Sequence, residues 1–256
     1  MLELRDIHKT FSTQGREERK IFQGLNITFH TGTTAIIGPN GCGKSTLLKM
    51  ISGGLAADRG EILLEGEDVT KVPEEERALW IGRVSQNPMD SVAPSLTILE
   101  NMALAMNKGP KSSFKNLLKN ANGELISQRV AGLGLGLEQQ LNAKTGSLSG
   151  GQRQSLSLLM ATVNKPKVLL LDEHTAALDP KTSHLVMEET KRLMEGEEMT
   201  TLMITHNLRH AVEYADRIVM IQGGQVALDL DTGEITEEEL AARYAQQVEE
   251  SMLLCG

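Results

Sequence analysis

Residues 38–46 read Gly-Pro-Asn-Gly-Cys-Gly-Lys-Ser-Thr, a complete G-x-x-x-x-G-K-S pattern between the apolar run Thr34-Ala35-Ile36-Ile37 and Leu47-Leu48-Lys49-Met50. That context is a strand, a glycine turn and a helix. The backbone N–H groups of such a turn and the positive end of the helix dipole converge on one point, which suits an anion and needs residues without a Cβ. The phosphates of a nucleotide are the expected ligand. Gly38, Asn40, Gly41, Cys42 and Gly43 are expected to shape the cradle, and Lys44 to neutralise the β- and γ-phosphates. Ser45 would give its hydroxyl to Mg²⁺, and Thr46 would reach the inner phosphates. The competing reading is a glycine turn that binds nothing, and it would have to meet every constrained position in the right strand-to-helix context by accident.

Farther along, residues 148–154 read Leu-Ser-Gly-Gly-Gln-Arg-Gln and residues 168–173 read Val-Leu-Leu-Leu-Asp-Glu, an apolar run closed by two acids. Together these resemble the ATP-binding-cassette (ABC) family, whose LSGGQ sequence lies shortly before its Walker B strand. The resemblance covers nearly the whole chain. It implies that Asp172 holds Mg²⁺ through its water shell while Glu173 polarises the water that attacks the γ-phosphate. It makes His206, in Ile204-Thr205-His206-Asn207, the switch histidine beside the γ-phosphate, with Lys44 and Glu173 the other catalytic residues. Gln86, in Val84-Ser85-Gln86-Asn87-Pro88, resembles the Q-loop amide that ligates Mg²⁺ or positions water. Phe11 resembles the aromatic that stacks on adenine, where the family more often has Tyr. Taken alone, each of these residues has a plainer reading. A lone histidine is usually structural, Gln86 could be an exposed loop amide, and Phe11 could join Phe22 and Phe29 in the core.

The same resemblance implies a shared site. Ser149, Gly150, Gly151 and Gln152 would meet nucleotide bound to an opposing subunit, and Asp179, in the D-loop Ala177-Leu178-Asp179, would couple the two sites. A head-to-tail homodimer or a heterodimer with a second ABC ATPase follows, with ATP as glue and hydrolysis as release.

The chain has 256 residues, of which 40% are hydrophobic, enough to fold around an ordinary core without staples. No apolar run approaches the roughly 18 residues that cross a bilayer, and the start Met1-Leu2-Glu3-Leu4-Arg5-Asp6 lacks a basic then apolar leader. The expected location is the cytoplasmic face of a membrane, reached through a partner. Cys42 and Cys255 suggest no disulfide framework, and Cys42, at the start of the phosphate-loop helix, is expected to favour thiolate. A net charge of −8 with 3% aromatic residues argues against a nucleic-acid surface.

Local patterns order the rest. Leu2 to Ile7 alternates like a half-buried strand, Ile21 to Phe29 offers a second, and Gly60 to Leu64 followed by Glu65-Gly66-Glu67-Asp68 suggests a hairpin. Ser12 to Lys20 is polar and reads as a loop. Thr97 with Glu100 has capping-box spacing, and a helix over Glu124 to Ala131 should end at Gly132, Gly134 and Gly136. A helix is expected from Gln152, another at Asp179-Pro180, a strand at Thr201 to Ile204, and a tail helix opened by Thr236 with Glu239. No internal repeat is present. This alternation implies an α/β fold with a mainly parallel sheet, and the resemblance implies a P-loop NTPase core with an antiparallel β edge and an inserted α-helical subdomain. The expected division is a nucleotide-binding core of residues 1–87 and 148–256 with a helical subdomain at 88–147.

Where the family commonly has Asp-Glu-Pro-Thr, this chain has Asp172-Glu173-His174-Thr175. His174 relaxes the restriction that Pro imposes and is expected to point to solvent rather than tune the acid pair. Lys111, Lys115 and Lys119 share helical spacing and read as a solvated basic face. The resemblance thus implies an ATP-hydrolysing transporter subunit that uses ATP and Mg²⁺ and drives a separate integral-membrane permease, with an extracytoplasmic substrate-binding protein. The absence of a fused membrane segment and of an exporter-type sequence at 143–147 favours an importer, and the Asp-Glu-His-Thr variant resembles ATPases of amino-acid uptake, aromatic amino acids among them. The alternative is a non-transport ABC ATPase serving a soluble assembly or repair partner. The two are distinguished by what docks on the surface after Gln86.

Overall fold

The computed structural model describes residues 1–12, 18–107 and 122–254. Lys111, Lys115, Lys119 and Cys255 lie outside these residues. The chain divides into two compact units, Met1–Arg77 with Thr200–Gly256, and Ala78–Met199.

In the first unit, β1 (Leu2–Phe11) lies between β2 (Arg19–Phe29) and β4 (Arg59–Leu64), with β5 (Glu67–Asp68) outside β4, all antiparallel. Leu2 and Leu4 follow the alternation read from the sequence, and an irregularity between Leu4 and Ile7, where Asp6 has φ 48°, shifts the period so that Ile7 is buried too, together with Leu25, Phe29 and Ile62. β4 and β5 pair Leu64 with Glu67 across the expected turn. A second layer centres on β3 (Gly32–Ile37), which runs parallel to β8 (Thr200–Ile204) on one side and β9 (Arg217–Gln222) on the other. β10 (Gln225–Asp231) adds an antiparallel edge on β9. Every residue of β8 is buried, as in a parallel strand covered on both faces. α1 (Lys44–Ser52), α2 (Glu74–Arg77), α7 (Leu208–Tyr214) and α8 (Glu237–Leu254) complete the unit. Thr236 and Glu239 open α8 as a capping box.

In the second unit β6 (Ile81–Val84) pairs in parallel with β7 (Val168–Asp172), Ile81 opposite Val168 and Val84 opposite Leu171. Around them are α3 (Ile98–Met106), α4 (Gly123–Ala131), α5 (Gly150–Thr162) and α6 (Pro180–Met194). Ile98, Met102, Ile126, Val130, Leu156 and Leu159 form one apolar cluster among α3, α4 and α5. The Thr97–Glu100 capping box is present on α3, and Gly132, Gly134 and Gly136 follow α4, the last two with φ of 67° and 68°. α5 starts earlier than the expected Gln152. Ser149 is its N-cap, because the Ser149 hydroxyl accepts from the Gln152 N–H and the Gln152 side chain accepts from the Ser149 N–H.

Candidate functional site

The first unit holds the phosphate loop. Ala35, Ile36 and Ile37 are buried and drive β3 into the turn. Gly38, Gly41 and Gly43 have φ of 145°, 77° and 111°. A Cβ on Gly38 would lie 2.3 Å from the Ile221 carbonyl oxygen, and one on Gly43 would lie 2.6 Å from Ile21 Cγ2. Both conformation and space therefore exclude a side chain. Gly43 caps α1 without any side-chain hydrogen bond, whereas α3, α5 and α6 open on Thr97, Ser149 and Asp179, each accepting a first-turn N–H. Gly43 thus gives α1 no capping side chain of its own, and a helix N-terminus opened by glycine in this way suits the approach of an anion.

Lys44 follows at once. It is 5% exposed, and its ammonium donates to the carbonyls of Gly38 (2.8 Å) and Pro39 (3.2 Å). Those two bonds offset the burial of the charge and hold Nζ over the loop while leaving one of its three donors. Arg19 braces the outer turn by donating to the Gly41 carbonyl at 2.8 Å. Asn40 is exposed, and Ser45 and Thr46 are half-buried in the first turn of α1. Cys42 corrects the thiolate expectation: burial raises its thiol above the ordinary 9.0, outweighing the pull of Lys44.

Phe11 and His206 belong to the same unit. Phe11, at the end of β1, is 40% exposed with Lys9 Nζ 5.6 Å from its ring centroid, while Phe22 and Phe29 fill the core. His206 is exposed just beyond β8. Its neighbours hold the turn: Thr205 Oγ1 accepts from the Asn207 N–H (3.0 Å), and Asn207 caps α7 by accepting from the His210 N–H (3.2 Å).

The second unit carries the acids. Asp172 is the buried last residue of β7, 8% exposed. Glu173 turns the chain with φ 48°, a left-handed conformation unusual for a residue with a side chain. Gln86 Nε2 donates to Glu173 Oε2 at 3.2 Å, so the amide and the carboxylate meet. Gln86 is exposed, and the next residue, Asn87, caps the short turn Pro88–Asp90.

Ser149 and Gly150 are exposed at the start of α5, and Gly151 has a packing reason of its own, since a Cβ there would lie 2.3 Å from Thr182 Cγ2 on α6. Asp179 is the N-cap of α6 and accepts from the Thr182 N–H at 3.1 Å. Hydrogen bonds from the Thr182 side chain and then its backbone hold the carboxyl below the ordinary 3.8.

Two features escaped sequence reasoning. Arg153 donates to the carbonyls of Thr145 (3.2 Å), Gly146 (3.2 Å) and Leu148 (2.6 Å), which fixes the approach to Ser149. An arginine beside a motif gives no local sign of that role. His174 does not point to solvent: it is 3% exposed, with Nε2 3.2 Å from Thr190 Oγ1 on α6. The apolar surroundings of β7 and α6 draw the ring inward, and Thr190 satisfies its nitrogen.

Among the described residues no group of three or more His, Cys, Asp or Glu side chains could hold a metal ion. Ser45 and Asp172 offer a hydroxyl and a carboxylate, each in its own unit. Such hard oxygens suit Mg²⁺, which takes one or two protein ligands and keeps water and phosphate oxygens for the rest. The donor chemistry of each residue is thus compatible with Mg²⁺.

Comparison with known proteins gives a consistent picture. The profile of the family described as ABC transporter matches residues 22–176. A tyrosine transport ATP-binding protein of Clostridioides difficile is 43% identical over 252 residues, 97% of this chain and 100% of that protein. The spermidine/putrescine import ATP-binding protein PotA of Haemophilus influenzae is 37% identical over 241 residues, 93% of this chain, and the chain spans 60% of that protein's length. Among solved structures, the dimeric post-hydrolysis state of an ATP-binding cassette bound to ADP and Pi superposes with a TM-score of 0.75 at 28% identity, covering 91% of this chain and 99% of that one. A nucleotide-free cassette of an ABC transporter gives 0.74 at 27% identity, covering 95% and 94%.

Proposed function

The chain belongs to the ABC transporter family, and from that premise we propose that it energises import of an aromatic amino acid through a separate integral-membrane permease. As a family member it is an ATP-hydrolysing, ATP-binding subunit. The observation that carries the residue assignments is the glycine N-cap of α1, which brings no side chain of its own, next to the buried Lys44 ammonium held by the Gly38 and Pro39 carbonyls. Residues 38–46 hold the phosphates, and Phe11 presents an open face to adenine. Ser45, Asp172 and Gln86 would hold Mg²⁺, which when bound would supply positive charge against the charge that develops on the phosphates. Glu173 orients and polarises the attacking water, and His206 donates to the terminal phosphate. Gln86 contacts the Glu173 carboxylate, so movement of the Q-loop changes the aim of that carboxylate. Ser149, Gly150, Gly151, Gln152 and Asp179 complete the site of an opposing subunit.

Residues 1–87 and 148–256 act as the nucleotide core and 88–147 as the helical subdomain that faces the permease. Ile98, Met102, Ile126 and Val130 pack α3 and α4 together and onto Leu156 and Leu159 of α5, so the helical subdomain is joined to the core along α5. No described helix is long and apolar enough to cross a membrane, which accords with attachment through a partner. The substrate class rests on the tyrosine transport relative, which the chain matches over its full length. Purification of this subunit from gently solubilised native membranes, followed by mass spectrometry, tests the reading. Recovery of a polytopic permease with a secreted binding protein that carries an aromatic amino acid is expected. A polyamine on that binding protein would replace the substrate class, and soluble partners alone would overturn the transport role.

A further inference from the structure

Resting on the reading of Glu173 as the residue that polarises water, we propose that His174 is a positioning residue for Glu173, acting through a hydrogen-bonded latch onto Thr190 of α6. Glu173 leaves β7 with φ 48°, a conformation that persists only where its surroundings fix it. Its carboxylate meets Gln86 at 3.2 Å, and its carbonyl accepts from the Ala176 N–H at 3.0 Å. The next side chain is the anchor. His174 is 3% exposed and Thr190 is 1% exposed, with Nε2 and Oγ1 3.2 Å apart. The Thr190 hydroxyl gives its proton to the Val186 carbonyl at 2.7 Å, so toward the ring it accepts. Nε2 is therefore the donor in this bond.

The latch has a second end. α6 begins at Asp179, whose side chain accepts from the Thr182 N–H. Residues 173–179 are therefore bound to one helix at both ends, at Thr190 through His174 and at the N-cap through Asp179. Where the family's proline restricts the backbone after the glutamate, this chain gains the restriction from a side-chain hydrogen bond. The aim of the Glu173 carboxylate thus depends on the position of α6, and the D-loop and the water-polarising acid move as one body.

Steady-state ATPase kinetics of the full chain test this. His174→Ala and Thr190→Val are each expected to lower kcat about tenfold with KM for ATP within about twofold, because a misaimed base loses rate rather than binding. The double variant should be no slower than either single one. His174→Gln, whose amide carries an N–H near the position of Nε2, should recover most of the rate. An unchanged kcat in His174→Ala, an equal loss of kcat and ATP affinity, or additive losses in the double variant would overturn the latch. Glu173→Gln in the same assay separates the two readings. If that variant keeps turning over, the role of Glu173 itself fails; if it is inactive and His174→Ala is not impaired, only the latch fails.

Discussion

At Gly43 two constraints act on the same atom that a larger residue would add. The backbone sits at φ 111°, and the new Cβ would press on Ile21 Cγ2 at 2.6 Å and Phe22 Cζ at 2.8 Å. Phe22 is 1% exposed and has no free direction in which to yield. Gly43→Ala should therefore distort the turn that aims the α1 N–H groups, with a conformational cost of at least about 1 kcal/mol before the clash is counted. The expected result is at least tenfold weaker binding of a fluorescent ATP analogue, together with a lower melting temperature. Wild-type affinity in that variant would mean that the loop is not the anion cradle. Cys42, one residue earlier, is tuned in the opposite sense from a reactive nucleophile, since burial holds its proton.

α1 carries the phosphate loop at one end and is fastened at the other by Arg77. That guanidinium, 2% exposed, donates to the carbonyls of Met50, Ile51, Thr70 and Val72, each at 2.8 Å. Met50 and Ile51 are last-turn residues of α1, where carbonyls run out of partners within the helix; the Met50 carbonyl also accepts from the Gly53 N–H at 3.2 Å. Arg77→Ala should remove the guanidinium donors to Ile51, Thr70 and Val72 and one of the two donors to Met50, and cost about 3 kcal/mol of unfolding free energy in urea titration. Arg77→Lys should recover little, because a single ammonium cannot serve as a planar fork. Full recovery by Lys would show that charge alone matters. Nothing in the sequence around Arg77 signals this, and the reason is physical. Thr97 with Glu100, Asp179 with Pro180, and Thr236 with Glu239 are bonds within one turn, so their spacing is visible in the chain. The loop glycines were legible for the same reason, because their conformation is local. Arg77, the inward turn of His174 and the raised thiol of Cys42 depend on what packs from distant segments. The capping box of Ser149 and Gln152 was local and legible, yet the motif's ligand role drew attention from its helix-starting role. Both uses are compatible, since a capping hydroxyl accepts from its own helix and keeps its proton to donate.

For the whole molecule the question is whether each nucleotide is held by one chain or by two. Ser149 and Gly150 at the N-terminus of α5 are exposed, so the donor end of its dipole reaches the surface. Two copies at a net charge of −8 repel each other, so closure needs an attraction that ATP with Mg²⁺ supplies and that salt assists by screening. Glu173→Gln should therefore be monomeric without nucleotide and dimeric with Mg-ATP in light scattering, because the amide retains the site but cannot polarise water. Complementation then decides whose residues meet. Lys44→Ala removes the loop charge and Ser149→Arg blocks the signature end, and each variant alone should be inactive. If the sites are shared head-to-tail, a mixture of the two assembles dimers in which the intact loop of one chain meets the intact Ser149 of the other, and ATPase activity returns in part. If each chain binds nucleotide with its own Lys44 and its own Ser149, no pairing of these variants contains a complete site and mixing restores nothing. The outcome separates a clamp that converts hydrolysis into opening from an ATPase whose dimerisation is incidental.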